Sequence, residues 1–195
     1  MQNNAPELRN VQEQLLSDNW YILKKYTFDI QRRDKTWQTQ SREVYDRGNG
    51  ATILLYNKEK KSVVLTRQFR FPVFVNGHTG LLIETAAGLL DKASPEARII
   101  AEAEEETGFS VTHLEKVFEA YMSPGSVTEK LYFFIAEYKD HDRTSDGGGL
   151  AEEGEDIEVL EWPFIRALEA IKQGEIVDGK TIMLLQHLAL TGLMD

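Results

Sequence analysis

The chain has 195 residues, a formal net charge of −10, and 42% hydrophobic against 28% charged residues, the proportions of a folded globular protein with enough length for a sizeable core. The acidic balance, with no basic tract, argues against binding nucleic acid through its phosphates, and the absence of cysteine excludes disulfides, thiolate catalysis and Cys-ligated zinc. No apolar run of ~18 residues and no basic-then-apolar leader is present, so neither a membrane span nor a signal peptide is expected, and a cysteine-free chain suits a reducing cytoplasm.

In chain order, Met1–Pro6 is polar and expected to fray. Asn10–Ser17 is compatible with a strand or a short helix. Trp20–Gln31 and Trp37–Asp46 are rich in aromatic and β-branched residues, and the charged RRDK between them predicts a hairpin. Residues 1–47 therefore read as a small N-terminal antiparallel β unit, with too few strands to be stable alone. Residues 48–195 read as the main domain. Ala51–Tyr56, Ser62–Gln68 and Leu81–Thr85 are predicted strands. The stretch Gly88–Phe109 carries a helix capped by Ser94, opened by Pro95 and closed at Gly108. Strands at Leu114–Met122 and Lys130–Tyr138 follow, the second with an apolar run that suits burial on both faces. Lys139–Asp156, with glycines at 147–149 and a cluster of acids, is a mobile loop by composition. Ile157–Trp162 is a last strand, before helices that start at Pro163 and near Lys180. Strands before, between and after three helices predict an α/β fold, a mixed sheet sandwiched by helices.

The chemistry concentrates on the helix after Gly88. Glu102, Glu105 and Glu106 stand at i, i+3 and i+4, so their carboxylates share one face, and EAEEET places no lysine four residues on to pair with them. For an arbitrary helix such a face is a solvated surface. Here it follows a strand and a glycine-containing turn, which can present backbone carbonyls beside it. Carboxylates with carbonyls are hard oxygen donors, suited to Mg2+ or Mn2+ and not to zinc. The four histidines lack metal spacing, the lone GNG at 48–50 precedes a strand, and no G-x-S-x-G motif occurs.

This stretch resembles the signature of the Nudix hydrolases, G-x5-E-x7-R-E-U-x-E-E-x-G-U with U apolar, at Gly88, Glu102, Ala103, Glu105, Glu106, Gly108 and Phe109. It departs in three ways: the spacing is one residue short, Ser94 replaces the first Glu, and Ala101 replaces the Arg. Arg98, one turn before Glu102, is positioned to supply the missing salt bridge. Beyond the box, REVYDRGNGATILLYN, RQFR, AGLLD, YMSPG-VTE, FFIAEY, GGG, EDIEVLE and DGKT resemble, in order and spacing, the bacterial GDP-mannose pyrophosphatases, a branch close to the ADP-ribose pyrophosphatases.

The resemblance implies a Nudix α/β/α sandwich and hydrolysis of a nucleoside diphosphate sugar, most of all GDP-mannose to GMP and mannose 1-phosphate. Its alternatives are ADP-ribose or another nucleoside diphosphate sugar as substrate, or a domain that senses nucleotide sugars without cutting them. It implies Mg2+, with Mn2+ as substitute, on the Ala87 carbonyl, Glu102, Glu106 and a carboxylate of the glycine-rich loop. That loop offers Glu152, Glu153, Glu155 and Asp156, and the family position corresponds to Glu155, as metal ligand and base; Glu105 joins the same cluster as a catalytic candidate. Substrate contacts carried over are Trp20, Arg42, Glu43, Arg70, Gly88, Leu89, Glu106, Glu129 and Lys180, with Trp20 and Tyr21 an aromatic platform for the base and Arg70 a planar partner for the diphosphate. A homodimer joined through the N-terminal unit, which also lends base contacts, is implied on the same basis.

Overall fold

The computed structural model describes residues 5–194; the part of the expected frayed start at Met1–Asn4, and Asp195, lie outside them. The chain forms two compact units, Met1–Gly48 with Ser123–Glu129, and Asn49–Met122 with Lys130–Asp195.

The first unit is a three-stranded antiparallel sheet in the order β1 (Leu8–Asp18), β2 (Ile22–Gln31), β3 (Trp37–Asp46). The undecided stretch from Asn10 to Ser17 is thus strand. β2 and β3 pair without a break from Ile22↔Asp46 to Gln31↔Trp37. Their turn is set locally: Lys35 has φ 67°, and Asp34 accepts the Thr36 N–H at 3.0 Å and its hydroxyl at 2.6 Å. Val127, in the segment 123–129, bridges Tyr45, and the Thr128 hydroxyl donates to Asp46 at 2.8 Å. No strand residue of this sheet is buried.

The second unit is built on a seven-stranded mixed sheet. β4 (Gly50–Asn57) and β5 (Ser62–Phe69) lie at its centre, with β10 (Glu158–Pro163) beside β5, and β9 (Lys130–Glu137) then β8 (Glu115–Tyr121) beside β4. Only β4 and β9 run parallel. β4 and β5 pair at one end alone, Leu55–Asn57 against Ser62–Val64, and then diverge. The strand after α1 (Phe71–Val75, a one-turn helix the sequence reading lacked) enters the gap in two pieces: β6 (Leu81–Glu84) pairs with β5, and β7 (Ala86–Leu89) with β4. The expected strand over Leu81–Thr85 is thus β6, and at Thr85 the chain switches partners and continues as β7, which the sequence did not foretell.

Alternation along β4, β5 and β9 divides the core into two layers. Leu54, Leu65, Phe133 and Ile135 face α3 (Phe164–Gln173) and α4 (Gly179–Thr191), where Ala167, Leu184, Leu185 and Leu188 are buried. Ile53, Leu55, Val64 and Phe134 pack with Ile99 and Ala103 of α2 (Pro95–Thr107). A strand buried on both faces leaves no polar alternation, which is why β9 reads as a continuous apolar run.

Candidate active site

α2 begins and ends as its residues dictate. Ser94 accepts the Ala97 N–H at 3.2 Å, Pro95 occupies the first turn, and Gly108 closes the helix with φ 77°. Ile99 and Ala103 bury one face in the core, and the glutamates lie along its flank. Water is not what quiets them: Glu102 is 4% and Glu106 1% exposed, with Glu105 half-buried. Burial pushes the Glu102 carboxyl up to about 7, with Glu105 and Glu155 adding to the shift and Arg98 opposing it. Burial likewise pushes Glu106 to about 8, aided by Glu102 and Glu155 and opposed by Arg70 and the Ala87 N–H. The Arg98 guanidinium is ion-paired to Glu102 Oε1, as its place one turn earlier suggested.

β7 forms the facing wall. The Ala87 N–H donates to Glu106 Oε2 at 3.3 Å. A Cβ on Gly88 would lie 1.7 Å from Glu102 Oε1, so the glycine is the space that the carboxylate occupies. Leu89 ends the strand, half-buried, paired with Gly50.

The glycine-rich loop is more tightly tied than its composition suggests. Gly147, Gly148 and Gly149 have φ of 68°, 112° and 76°, and Gly148 and Gly149 donate their N–H groups to the carbonyls of Glu106 and Glu105 at 3.0 and 3.1 Å. A Cβ on Gly147 would come within 2.6 Å of the Glu106 carbonyl. The triplet thus serves close approach: it satisfies the last-turn carbonyls of α2, which have no partner inside the helix. Thr144 N–H to Gly108 O at 2.7 Å and Ile157 N–H to Gly148 O at 3.1 Å secure the two ends. Among the loop acids, Glu152, Glu153 and Asp156 are exposed, whereas Glu155 is half-buried and accepts the Leu150 N–H at 2.9 Å. Glu155 is also the loop acid whose charge raises both Glu102 and Glu106.

Two of the expected substrate-binding cations, Arg70 and Lys180, meet on Glu84, a residue outside the expected site. Arg70 Nε donates to Glu84 Oε2 at 2.8 Å, and Lys180 Nζ is paired with Glu84 Oε1 and, at 3.0 Å, with Asp178. An acid inside the apolar strand LLIET was the signal available for Glu84; Asp178 was visible as the cap of α4.

The remaining candidates belong to the N-terminal unit. Trp20 is 83% exposed in the turn after β1, edge-on to Tyr21, which in turn meets Tyr45 and lies 5.7 Å beneath the Arg47 guanidinium. Arg42 is exposed and bonded to Ser41 O and Gln40; Glu43 is exposed opposite Lys25 on β2. Glu129 lies 3.5 Å from Arg47.

Among the described residues no three Asp, Glu or His side chains stand in a tight cluster ready to hold an ion unaided. The donor set nonetheless fits a divalent cation in kind: buried hard oxygens whose burial and like charges outweigh the opposing charges of Arg98 and Arg70. No helix among the described residues is long and apolar enough to cross a membrane.

Comparison with known proteins gives a family model described as the NUDIX domain over residues 46–185, and one described as the GDP-mannose pyrophosphatase NudK N-terminal domain over residues 7–45. The chain is 58% identical over 185 residues to a protein of Enterobacter sp. (strain 638) named GDP-mannose pyrophosphatase, covering 94% of this chain and 96% of that one. It is 57% identical over 186 residues to one of the same name from Salmonella typhimurium, with 95% and 96% coverage. A solved structure titled as that of an ADP compounds hydrolase matches with TM-score 0.69 over 96% of this chain and 95% of the other; at 16% identity it shows the fold alone.

Proposed function

The chain belongs to the NUDIX family, and from that premise we propose that it hydrolyses the pyrophosphate of nucleoside diphosphate sugars, GDP-mannose foremost, to GMP and mannose 1-phosphate. The observation that carries this reading is the buried pair Glu102 and Glu106, two carboxylates raised by burial and each other's company beside a strand wall of backbone groups. Two of the three departures from the family signature are offset on the spot. Ser94 caps the helix that a Glu would otherwise open, and Arg98 pairs with Glu102 where the signature arginine is missing. That favours an enzyme over a domain that only senses its ligand.

Enzymes of this family work with a divalent metal, and we assign Mg2+, with Mn2+ as substitute, to the Ala87 carbonyl, Glu102, Glu106 and Glu155. When bound, such an ion supplies charge neutralisation to the diphosphate and makes water more acidic. The chain's own groups do the rest. Arg70, Lys180, Gly88 and Leu89 position the diphosphate, and Glu155, with Glu105 beside it, takes the proton as water adds to one phosphorus and the bond to the bridging oxygen breaks. The loop holds Glu155 by its hydrogen bond to Leu150, a pre-set position consistent with a base that needs no long excursion. Trp20, Arg42, Glu43 and Glu129 serve the base and the sugar. The N-terminal sheet, residues 1–47 in this reading, also joins two copies. Supporting this are the absence of any buried strand residue and the exposed Leu8, Val11, Leu15 and Leu16 on β1. A cysteine-free chain suits the cytoplasm as its place of work.

The test is a panel of nucleoside diphosphate sugars incubated with Mg2+, reading the released products. GDP-mannose should give the highest kcat/KM; faster cleavage of ADP-ribose would overturn the substrate and leave the chemistry. Comparing Glu155→Gln with Glu153→Gln fixes the loop acid, since only the former should lose kcat. Sedimentation of Leu15→Lys against the parent reads the dimer.

A further inference from the structure

The strand from Leu81 to Leu89 changes partners in mid-course, and the change places an acid where an apolar residue would be expected. β6 pairs with β5 and β7 with β4, and Thr85 between them belongs to neither ladder. Its N–H, freed from strand pairing, donates to Thr181 Oγ1 at 2.8 Å. That hydroxyl donates in turn to Asp178 Oδ2 at 2.6 Å, the same oxygen that caps α4 and bonds Lys180. One residue before the break stands Glu84, 3% exposed, with Arg70 on one oxygen and Lys180 on the other. The end of β5, the strand break and the start of α4 are thereby joined in one hydrogen-bonded net.

A buried carboxylate is costly unless paired, and an ion pair whose only role was stability would be matched by apolar residues of similar size. Burial alone would raise Glu84, but Lys180 and Arg70 outweigh it and hold the carboxyl below its ordinary value. The geometry of Arg70 is one-sided. Among the described residues its side chain is bonded only through Nε, to Glu84, which leaves both terminal nitrogens unengaged. Held at Nε by a fixed carboxylate, a guanidinium presents its outer fork in a set plane, and that fork is the part that matches paired phosphate oxygens.

We propose that Glu84 is a positioning residue for the hydrolysis: braced by Lys180, it sets the plane in which Arg70 meets the diphosphate. This rests on the reading of Arg70 as a phosphate contact given above. Glu84 itself touches no substrate and acts through Arg70.

The test is a double-mutant cycle between Glu84→Gln and Arg70→Ala in the full chain, read as kcat and KM on GDP-mannose with Mg2+. The rise of Tm on adding Mg2+ is measured alongside, as a readout that a general loosening of the fold would move. Arg70→Ala should lower kcat/KM about 100-fold and Glu84→Gln at least ~10-fold, while the double variant is no worse than Arg70→Ala alone. The Mg2+-induced rise of Tm should persist in all three. Glu84→Asp, which keeps the charge one methylene short, covers the case in which the Gln variant does not fold; its smaller loss should also vanish in the Arg70→Ala background. Losses that multiply in the double variant overturn the proposal, as does a wild-type kcat/KM in Glu84→Gln beside an impaired Arg70→Ala. A wild-type Arg70→Ala would instead sink the phosphate-contact reading, and an unvaried protein that cleaves no sugar of the panel would sink the pyrophosphatase reading.

Discussion

Glu84 on β6 and the pair Glu102 and Glu106 on α2 are about equally withdrawn from water, at 3%, 4% and 1% exposure, yet they are in contrasting electrostatic states. Glu84 has two cations hydrogen-bonded to it and lies below its ordinary carboxyl value; in the α2 pair Arg98 opposes the rise at Glu102 and Arg70 that at Glu106, but burial and the neighbouring acids outweigh them and both lie above it. The first site is complete as the chain folds. The second is left short of positive charge, and that deficit supports the proposed assignment of a divalent cation there. Burial alone therefore does not tell an acid that the chain itself neutralises from one that it leaves uncompensated; the count of neighbouring charges does.

The largest effect should come from relieving that deficit chemically. Glu106→Gln, and separately Glu102→Gln, should lower kcat about a thousandfold. Metal-free Glu106→Gln should melt no lower than the parent, because it removes a buried carboxyl that has no ion-pair partner among the described residues, whereas Glu102 is paired with Arg98. Near-parental turnover in either variant would erase the contrast between the two sites.

Acidity separates the sites next. The folded values of about 7 and about 8 for Glu102 and Glu106 exceed the ordinary 4.5. Between pH ~5 and ~8 the folded metal-free protein thus holds protons that the unfolded chain has shed, so stability is present at the low end and lost as pH rises. The loss should be on the order of a few kcal/mol and should shrink with Mg2+ present. Glu84, lowered instead, stabilises above its unfolded value and loses that contribution only as pH falls further, so it leaves this window flat. Urea midpoints at pH 5.5 and 8, in chelator and in Mg2+, measure this; a metal-free protein more stable at pH 8 would contradict it.

Gly88→Ala sharpens the comparison sterically. The new Cβ falls on the Glu102 carboxylate and must displace it, so kcat/KM should fall roughly 10- to 100-fold with the fold kept. The smallest effect is expected at Ser94→Ala, which removes the bond to Ala97 N–H and should cost about 1 kcal/mol in a thermal or urea melt, with kcat little changed.

The elements around α2 were legible because local rules govern them. Ser94, Pro95 and Gly108 mark its ends in any context, and the i, i+3, i+4 spacing places three glutamates on one face wherever the helix packs. Arg98 was legible for the same reason, one turn from its partner. The glycine triplet was visible but its use was not. Composition alone suggests freedom, whereas the triplet's φ values and N–H donors serve contact with the end of α2, a partner some forty residues away in sequence. The split of the strand at Thr85 was hidden altogether, since it depends on β4 and β5 parting company, and no pattern within Leu81–Leu89 records what its neighbours do.

The sequence by itself determined the helix, the shared face of its glutamates, the core strands and the family resemblance, all properties that follow from spacing along one element or from motifs in order. Only the tertiary structure decided that two of those glutamates lie out of water, that Glu155 is the loop acid nearest to them in effect, and that Arg70 and Lys180 converge on Glu84. The physical reason is range. Capping and periodicity act over a few residues, whereas burial and charge pairing depend on which distant segments the sheet brings together, and the electrostatic state of a carboxylate is set by those neighbours.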